Sequence, residues 1–166
     1  MKMILTPNLT ATGWMSQKFV KDLLVARPDA LATHQVVAIG SSSISKAEKF
    51  VSDVITPSSS SSSTPKLYDS YEGVYANPDV DVVYVGTPHT LHKQNCLDAI
   101  EKGKNVLCEK PFTINAREAE EVISKARSKG VYIMEGERHE YNSPCTPHFF
   151  LCIFYVRYRL RENSTR

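Results

Sequence analysis

Residues 80–135 read VDVVYVGTPHTLHKQNCLDAIEKGKNVLCEKPFTINAREAEEVISKARSKGVYIME, and this stretch decides the fold. Val80 to Val85 is apolar apart from Asp81, the pattern of a strand covered on both faces in a parallel sheet. Leu91 to Lys102 reads as a helix closed by Gly103, with Val106-Leu107-Cys108 as the next strand. Asn115 with Glu118 makes a capping-box-like start. Ala116, Ala119, Val122, Ile123 and Ala126 then supply a buried stripe, and Gly130 ends the helix. Val131 to Met134 is a further strand. Helices bridging successive parallel strands by right-handed crossovers give an α/β, doubly wound parallel sheet of the Rossmann type, with ligand beyond the strands' carboxyl ends.

The same alternation extends toward the N-terminus. Met15, Phe19, Val20, Leu23 and Leu24 recur at helical spacing with Pro28 beyond them as a stop, and Val36 to Ile39 is a short buried strand ending at Gly40. Ser45 is expected to cap the next helix with Glu48 answering it, while Ala47, Phe50, Val51 and Val54 face inward. Residues 56–65 enclose a serine run with nothing apolar to bury, so they form a surface loop. Lys66-Leu67-Tyr68 reads as a minimal strand and Asp69 to Ala76 as a short helix. Residues 1–10 are expected to be irregular or to carry a misassigned start, because Pro7 and polar neighbours interrupt the apolar run that a first strand needs.

With 166 residues and 42% apolar content the chain can bury one ordinary α/β core. A net charge of +2, spread through the chain, gives no footprint for a nucleic-acid or membrane-surface partner. Cys96, Cys108, Cys145 and Cys152 lack metal-ligand or disulfide spacing, so free thiols and no metal are expected. Met1 to Leu9 lacks a secretory apolar region, and Phe149 to Val156 is shorter than the roughly 20 residues of a membrane-spanning helix. Cytoplasm is the expected location.

Three loops carry the chemistry. In Ala11-Thr12-Gly13-Trp14-Met15-Ser16, Ala and Ser replace the outer glycines of a GxGxxG fingerprint, and Gly13 keeps the position where backbone approaches a pyrophosphate. A bare helix-start turn explains that loop equally well. At Gly40-Ser41-Ser42-Ser43 the acidic residue that holds an NAD ribose is absent, and hydroxyls tolerate a 2′-phosphate better, so NADP is preferred over NAD. The plainer alternative is a polar turn. The third loop combines Gly86-Thr87-Pro88-His89 with Cys108-Glu109-Lys110-Pro111.

At this third loop the sequence resembles the glucose-fructose oxidoreductase and inositol dehydrogenase family (Gfo/Idh/MocA), and within it the dihydrodiol dehydrogenase and NADP-dependent D-xylose dehydrogenase branch. The resemblance runs over about Ala11 to Glu135. It implies that Thr87, Pro88, His89 and His92 belong to a cofactor loop beside nicotinamide. It also implies that Lys110 is catalytic, with Glu109 and Pro111 shaping its turn. A cation beside the substrate oxygen stabilises developing alkoxide charge as hydride leaves carbon. The rivals are an exposed lysine at 110 and, for His89 and His92, hydrogen bonds at the helix start or a metal pair that lacks a third ligand.

The resemblance ends at Gly136, where the family continues into a second α/β domain that binds substrate and mediates dimerisation. Residues 137–166 show no family pattern. Gly136-Glu137 can be encoded GGTGAG, which contains a splice-donor-like GTGAG, so this tail is expected to be intron-derived and irregular. The resemblance thus implies an NADP-dependent dehydrogenase of a sugar or dihydrodiol hydroxyl in truncated form, inactive by itself and able to dimerise only with the second domain. The alternative is a non-catalytic NAD(P)-binding regulatory module.

Overall fold

The computed structural model of the protein describes residues 2–6, 14–25, 34–55 and 64–136. Its strands are β1 (Lys2–Thr6), β2 (Gln35–Gly40), β3 (Lys66–Tyr68), β4 (Val82–Val85), β5 (Asn105–Glu109) and β6 (Ile133–Gly136). They form one parallel sheet in the order β3-β2-β1-β4-β5-β6, the doubly wound arrangement. β1 corrects the expectation of irregular structure at residues 2–6, which pair with both β2 and β4 at the centre of the sheet, while residues 7–10 lie outside the described residues. The β1–β2 register shifts between Met3 and Ile4, and opposite that shift Val36 packs into one core layer and Ala38 into the other.

The helices are α1 (Trp14–Leu23), α2 (Ile44–Phe50), α3 (Tyr71–Ala76), α4 (His92–Glu101) and α5 (Ala116–Lys129). Val20, Ala47 and Phe50 of α1 and α2 bury against Val36, Ile39, Tyr84 and Leu107 on one face of the sheet. On the other face Val74, Ile100 and Val122 of α3, α4 and α5 bury against Ala38, Val83, Val85 and Val106. Alternate residues of β4 and β5 thus serve opposite layers, which is why their sequences read as unbroken apolar runs.

Local chemistry sets the helix ends. Asn115 Oδ1 accepts from the Glu118 amide at 3.0 Å, and the Glu118 carboxylate reaches back to the Ile114 amide at 3.4 Å. Caps of this kind contribute about 1 kcal/mol. Gly130 closes α5 at φ 66°, a left-handed position that costs glycine nothing. Other boundaries move by a few residues from the sequence reading. α2 begins at Ile44 after the extended Ser43, which places Ser45 inside the first turn rather than at its cap, and Val51 to Ile55 widen into a π turn. α3 starts after Ser70, whose hydroxyl accepts from the Gly73 amide. A 3-10 turn, His89–Leu91, precedes α4. Ala116, expected inside, is exposed at the first turn of α5.

Candidate functional site

Because all six strands run the same way, their carboxyl ends share one rim. Register puts Thr6 level with Val85, Val85 with Cys108, and Gly40 with Tyr68, so the chain leaves β2 at Ser41, β4 at Gly86 and β5 at Lys110 along that rim. The loop holding Ala11, Thr12 and Gly13 lies outside the described residues, between the end of β1 and Trp14.

Helix α1 begins at this rim. Trp14 is exposed with Lys18 Nζ 5.1 Å from its ring centre, Met15 is half-buried, and Ser16 is fully buried. Ser16 occupies the third position of the glycine fingerprint, where helix and strand must approach closely. The room comes from the partner instead: a Cβ at Gly86 would stand 2.7 Å from Ser16 Oγ and 2.7 Å from Tyr84 Cε1. Phe19 stacks on the Tyr84 ring at 4.2 Å between centroids.

Past β2, Ser41 is 1% exposed and its hydroxyl has no partner among the described residues. Exposed Ser42 accepts from Lys46 Nζ at 2.9 Å, and the Ser43 and Ser45 hydroxyls lie 3.2 Å apart. The turn after β2, Ser41 to Ser43, therefore offers hydroxyls and the Lys46 ammonium, and no acidic residue stands in Gly40 to Lys46, a donor set that fits a phosphate on a ribose better than a bare ribose hydroxyl pair. Lys46 was not among the residues the sequence suggested. Its spacing from Ser42, one helical turn, is the signal that could have found it.

After β4, Thr87 is buried and Pro88 sits at φ −55°. The two histidines of the loop separate: His89 is exposed on the rim, whereas His92 is 1% exposed. His92 Nε2 lies 2.9 Å from the Thr87 carbonyl oxygen and Nδ1 lies 2.8 Å from the Pro111 carbonyl oxygen. One imidazole thus ties the β4 loop to the β5 loop. The Asn95 amide, which the sequence reading also passed over, donates to Thr87 Oγ1 at 2.9 Å. Among the described residues no three His, Cys, Asp or Glu side chains group as a metal site.

After β5, Lys110 and Pro111 are exposed and joined by a cis peptide bond. Among the described residues the Lys110 ammonium pairs with no carboxylate, which leaves it available to a ligand. Glu109 turns inward instead. Its Oε1 accepts from the Tyr84 hydroxyl at 2.7 Å, and its Oε2 accepts from the Lys110 amide at 3.3 Å. Burial, and after it the Glu109 charge, push the Tyr84 phenol far above its usual range, so it stays a donor. Behind this turn, Cys96 and Cys108 are free, buried thiols. The Cys96 contact and burial push the Cys108 thiol strongly up, which makes it inert as a nucleophile.

The oxidoreductase family with an NAD-binding Rossmann fold, GFO_IDH_MocA, matches residues 11–137. A D-xylose 1-dehydrogenase (NADP(+)) of Hypocrea jecorina is 42% identical over 132 residues, covering 77% of this chain and 32% of that protein. A trans-1,2-dihydrobenzene-1,2-diol dehydrogenase of Xenopus tropicalis is 39% identical over 129 residues, covering 75% of this chain and 37% of that protein. The chain therefore spans about a third of the length of the curated relatives it matches. The solved structure of KijD10, a 3-ketoreductase from Actinomadura kijaniata, in complex with NADP superposes with a TM-score of 0.66 at 26% identity. That match covers 82% of this chain and 38% of the other. Strand order and family match agree, and the chain belongs to the GFO_IDH_MocA oxidoreductase family through its NAD-binding Rossmann fold.

Proposed function

We propose that the unit built on β1 to β6, residues 2–136, is the NADP-binding part of an oxidoreductase that moves hydride between the carbon of a sugar or dihydrodiol hydroxyl and nicotinamide, with residues 137–166 outside that unit. The observation that carries this reading is the His92 bridge, which holds the Thr87 loop and the Lys110 turn side by side at adjacent strand ends. NADP, when bound, supplies the hydride acceptor.

The chain's own residues would do the rest. Ser41, Ser42, Ser43 and Lys46 would hold the 2′-phosphate, and Ala11, Thr12, Gly13, Trp14 and Met15 are the candidates for the pyrophosphate. Thr87, Pro88 and His89 form the floor near the nicotinamide. Lys110 places its ammonium against the substrate oxygen and stabilises the negative charge that develops there as hydride leaves carbon. Glu109, held by Tyr84, fixes the backbone from which Lys110 projects. The two dehydrogenase relatives support the substrate class, and the NADP printed for the xylose enzyme and for KijD10 supports the cofactor.

Titration of the chain with NADPH and NADH, followed by quenching of Trp14 fluorescence, tests this reading. NADPH is expected to bind at least about tenfold more tightly, the worth of one charge-assisted contact to the phosphate. Lys46→Gln should remove most of that preference and leave NADH affinity unchanged. Tighter binding of NADH, or an unchanged preference in Lys46→Gln, would contradict the phosphate site.

A further inference from the structure

We propose that Asn95 is a positioning residue for the dinucleotide: its amide commits the Thr87 hydroxyl to donate to an oxygen on the nicotinamide half of NADPH. The proposal rests on the dinucleotide reading above and specifies one contact within it.

Asn95 lies on α4 one turn beyond His92 and is 7% exposed, where an amide must have a reason to be. Its Nδ2 is 2.9 Å from Thr87 Oγ1. An amide nitrogen only donates, so the Thr87 oxygen accepts in this contact and its own hydrogen points elsewhere. Among the described residues no acceptor takes that hydrogen, although Thr87 is 5% exposed. A hydroxyl hydrogen so placed is costly without an acceptor, and the strand-end rim is where a ligand would bring one.

The division of labour on Thr87 supports this. Its carbonyl oxygen lies 2.9 Å from His92 Nε2 and not against Asn95, so the Asn95 contact is to the side chain alone. Asn95 sets only the direction of the hydroxyl. The chemistry that answers it is an oxygen acceptor, a carboxamide or ribose oxygen, on the nucleoside nearest Lys110.

Asn95→Asp tests the direction of the bond. The carboxylate keeps the size of the side chain but only accepts, so the Thr87 hydroxyl turns to it and the ligand loses its donor. Thr87→Val removes the hydroxyl without adding charge. The full chain and both variants are titrated with NADPH and with adenosine 2′,5′-bisphosphate, which carries the phosphate end and lacks nicotinamide. Both variants should weaken NADPH by about five- to tenfold, the loss of one hydrogen bond, and leave the bisphosphate unchanged. Wild-type NADPH affinity in Thr87→Val overturns the proposal whether or not Asn95→Asp folds. Equal weakening of both ligands in Thr87→Val overturns it too, since that is the mark of a general packing role. If the wild-type chain binds neither ligand, the dinucleotide reading itself fails and takes this inference with it.

Discussion

The hydroxyl of Tyr84 donates to Glu109 Oε1 across 2.7 Å, from the next-to-last residue of β4 to the last residue of β5. Both residues are nearly excluded from water, with Tyr84 1% and Glu109 8% exposed. A carboxyl group in that position depends on its donors, because removing one leaves an oxygen that water cannot reach. Tyr84→Phe keeps the ring and its stack on Phe19 while deleting the donor. It is expected to destabilise the chain by about 1 to 3 kcal/mol in urea unfolding. A neutral outcome would mean that Glu109 is solvated or held by other groups.

Gly86 and Ser16 form a second coupled pair. A methyl at Gly86 would press on Ser16 Oγ and on the Tyr84 ring, both at 2.7 Å, and the ring is packed too tightly to retreat. Gly86→Ala is expected to cost about 1 to 3 kcal/mol. Adding Ser16→Gly should recover part of that loss, and a double-mutant cycle reads the coupling directly. Strict additivity of the two changes would show that the helix and strand are not in the contact described.

His92→Leu fills nearly the same space and removes the ring N–H that lies between the Thr87 and Pro111 carbonyls. The expected cost is about 2 to 4 kcal/mol, with faster amide hydrogen exchange at Thr87 and Phe112 than in the wild type. Unchanged exchange at both amides would remove the bridge from the account.

The helix pair α4–α5 carries a surface ion cluster, in which Lys125 and Lys129 both pair with Glu101. Hydrogen bonds from Lys125 and then Lys129 hold the Glu101 carboxyl at about 2, below its usual 4.5. A depressed carboxylate contributes stability that is present above its unfolded value and lost as pH falls through the folded one. The melting temperature should therefore decline with acid between about pH 4.5 and about 2, less steeply in Glu101→Gln than in the wild type. The difference should shrink at about 1 M salt, because the group is exposed. Parallel declines at low salt would count against the cluster.

Much of the second half of the fold was legible in the residues. Val82 to Val85 and Val106 to Cys108 are buried on both faces, so burial and sequence pattern coincide, and the Asn115 cap and Gly130 stop act locally. β1 was not legible, since a strand this short between Met1 and Pro7 owes its place to two flanking ladders rather than to its own pattern. Ser45 was mistaken for a cap because the chain turns two residues earlier, at Ser43.

In the site, Lys110 and the Thr87 loop stood out by motif, but their connections did not. His92, exposed His89 and inward-turned Glu109 look alike in sequence, and only packing separates a bridging ring from a rim residue. Tyr84 reads as one more core residue of β4, because its partner is distant in the chain. Lys46 escaped notice because its contact depends on a helical turn that returns it to the strand end.

The central claim is that one rim of the sheet receives a dinucleotide, and amide chemical shifts of the chain during titration with NADPH test it most directly. Ser41, Ser42, Thr87, Lys110 and Phe112 should shift together, saturating at the same NADPH concentration. Gly103 and Gly130, which close helices at the opposite edge of the sheet, should stay in place. Shifts confined to that opposite edge, or none at the strand-end loops, would contradict the account.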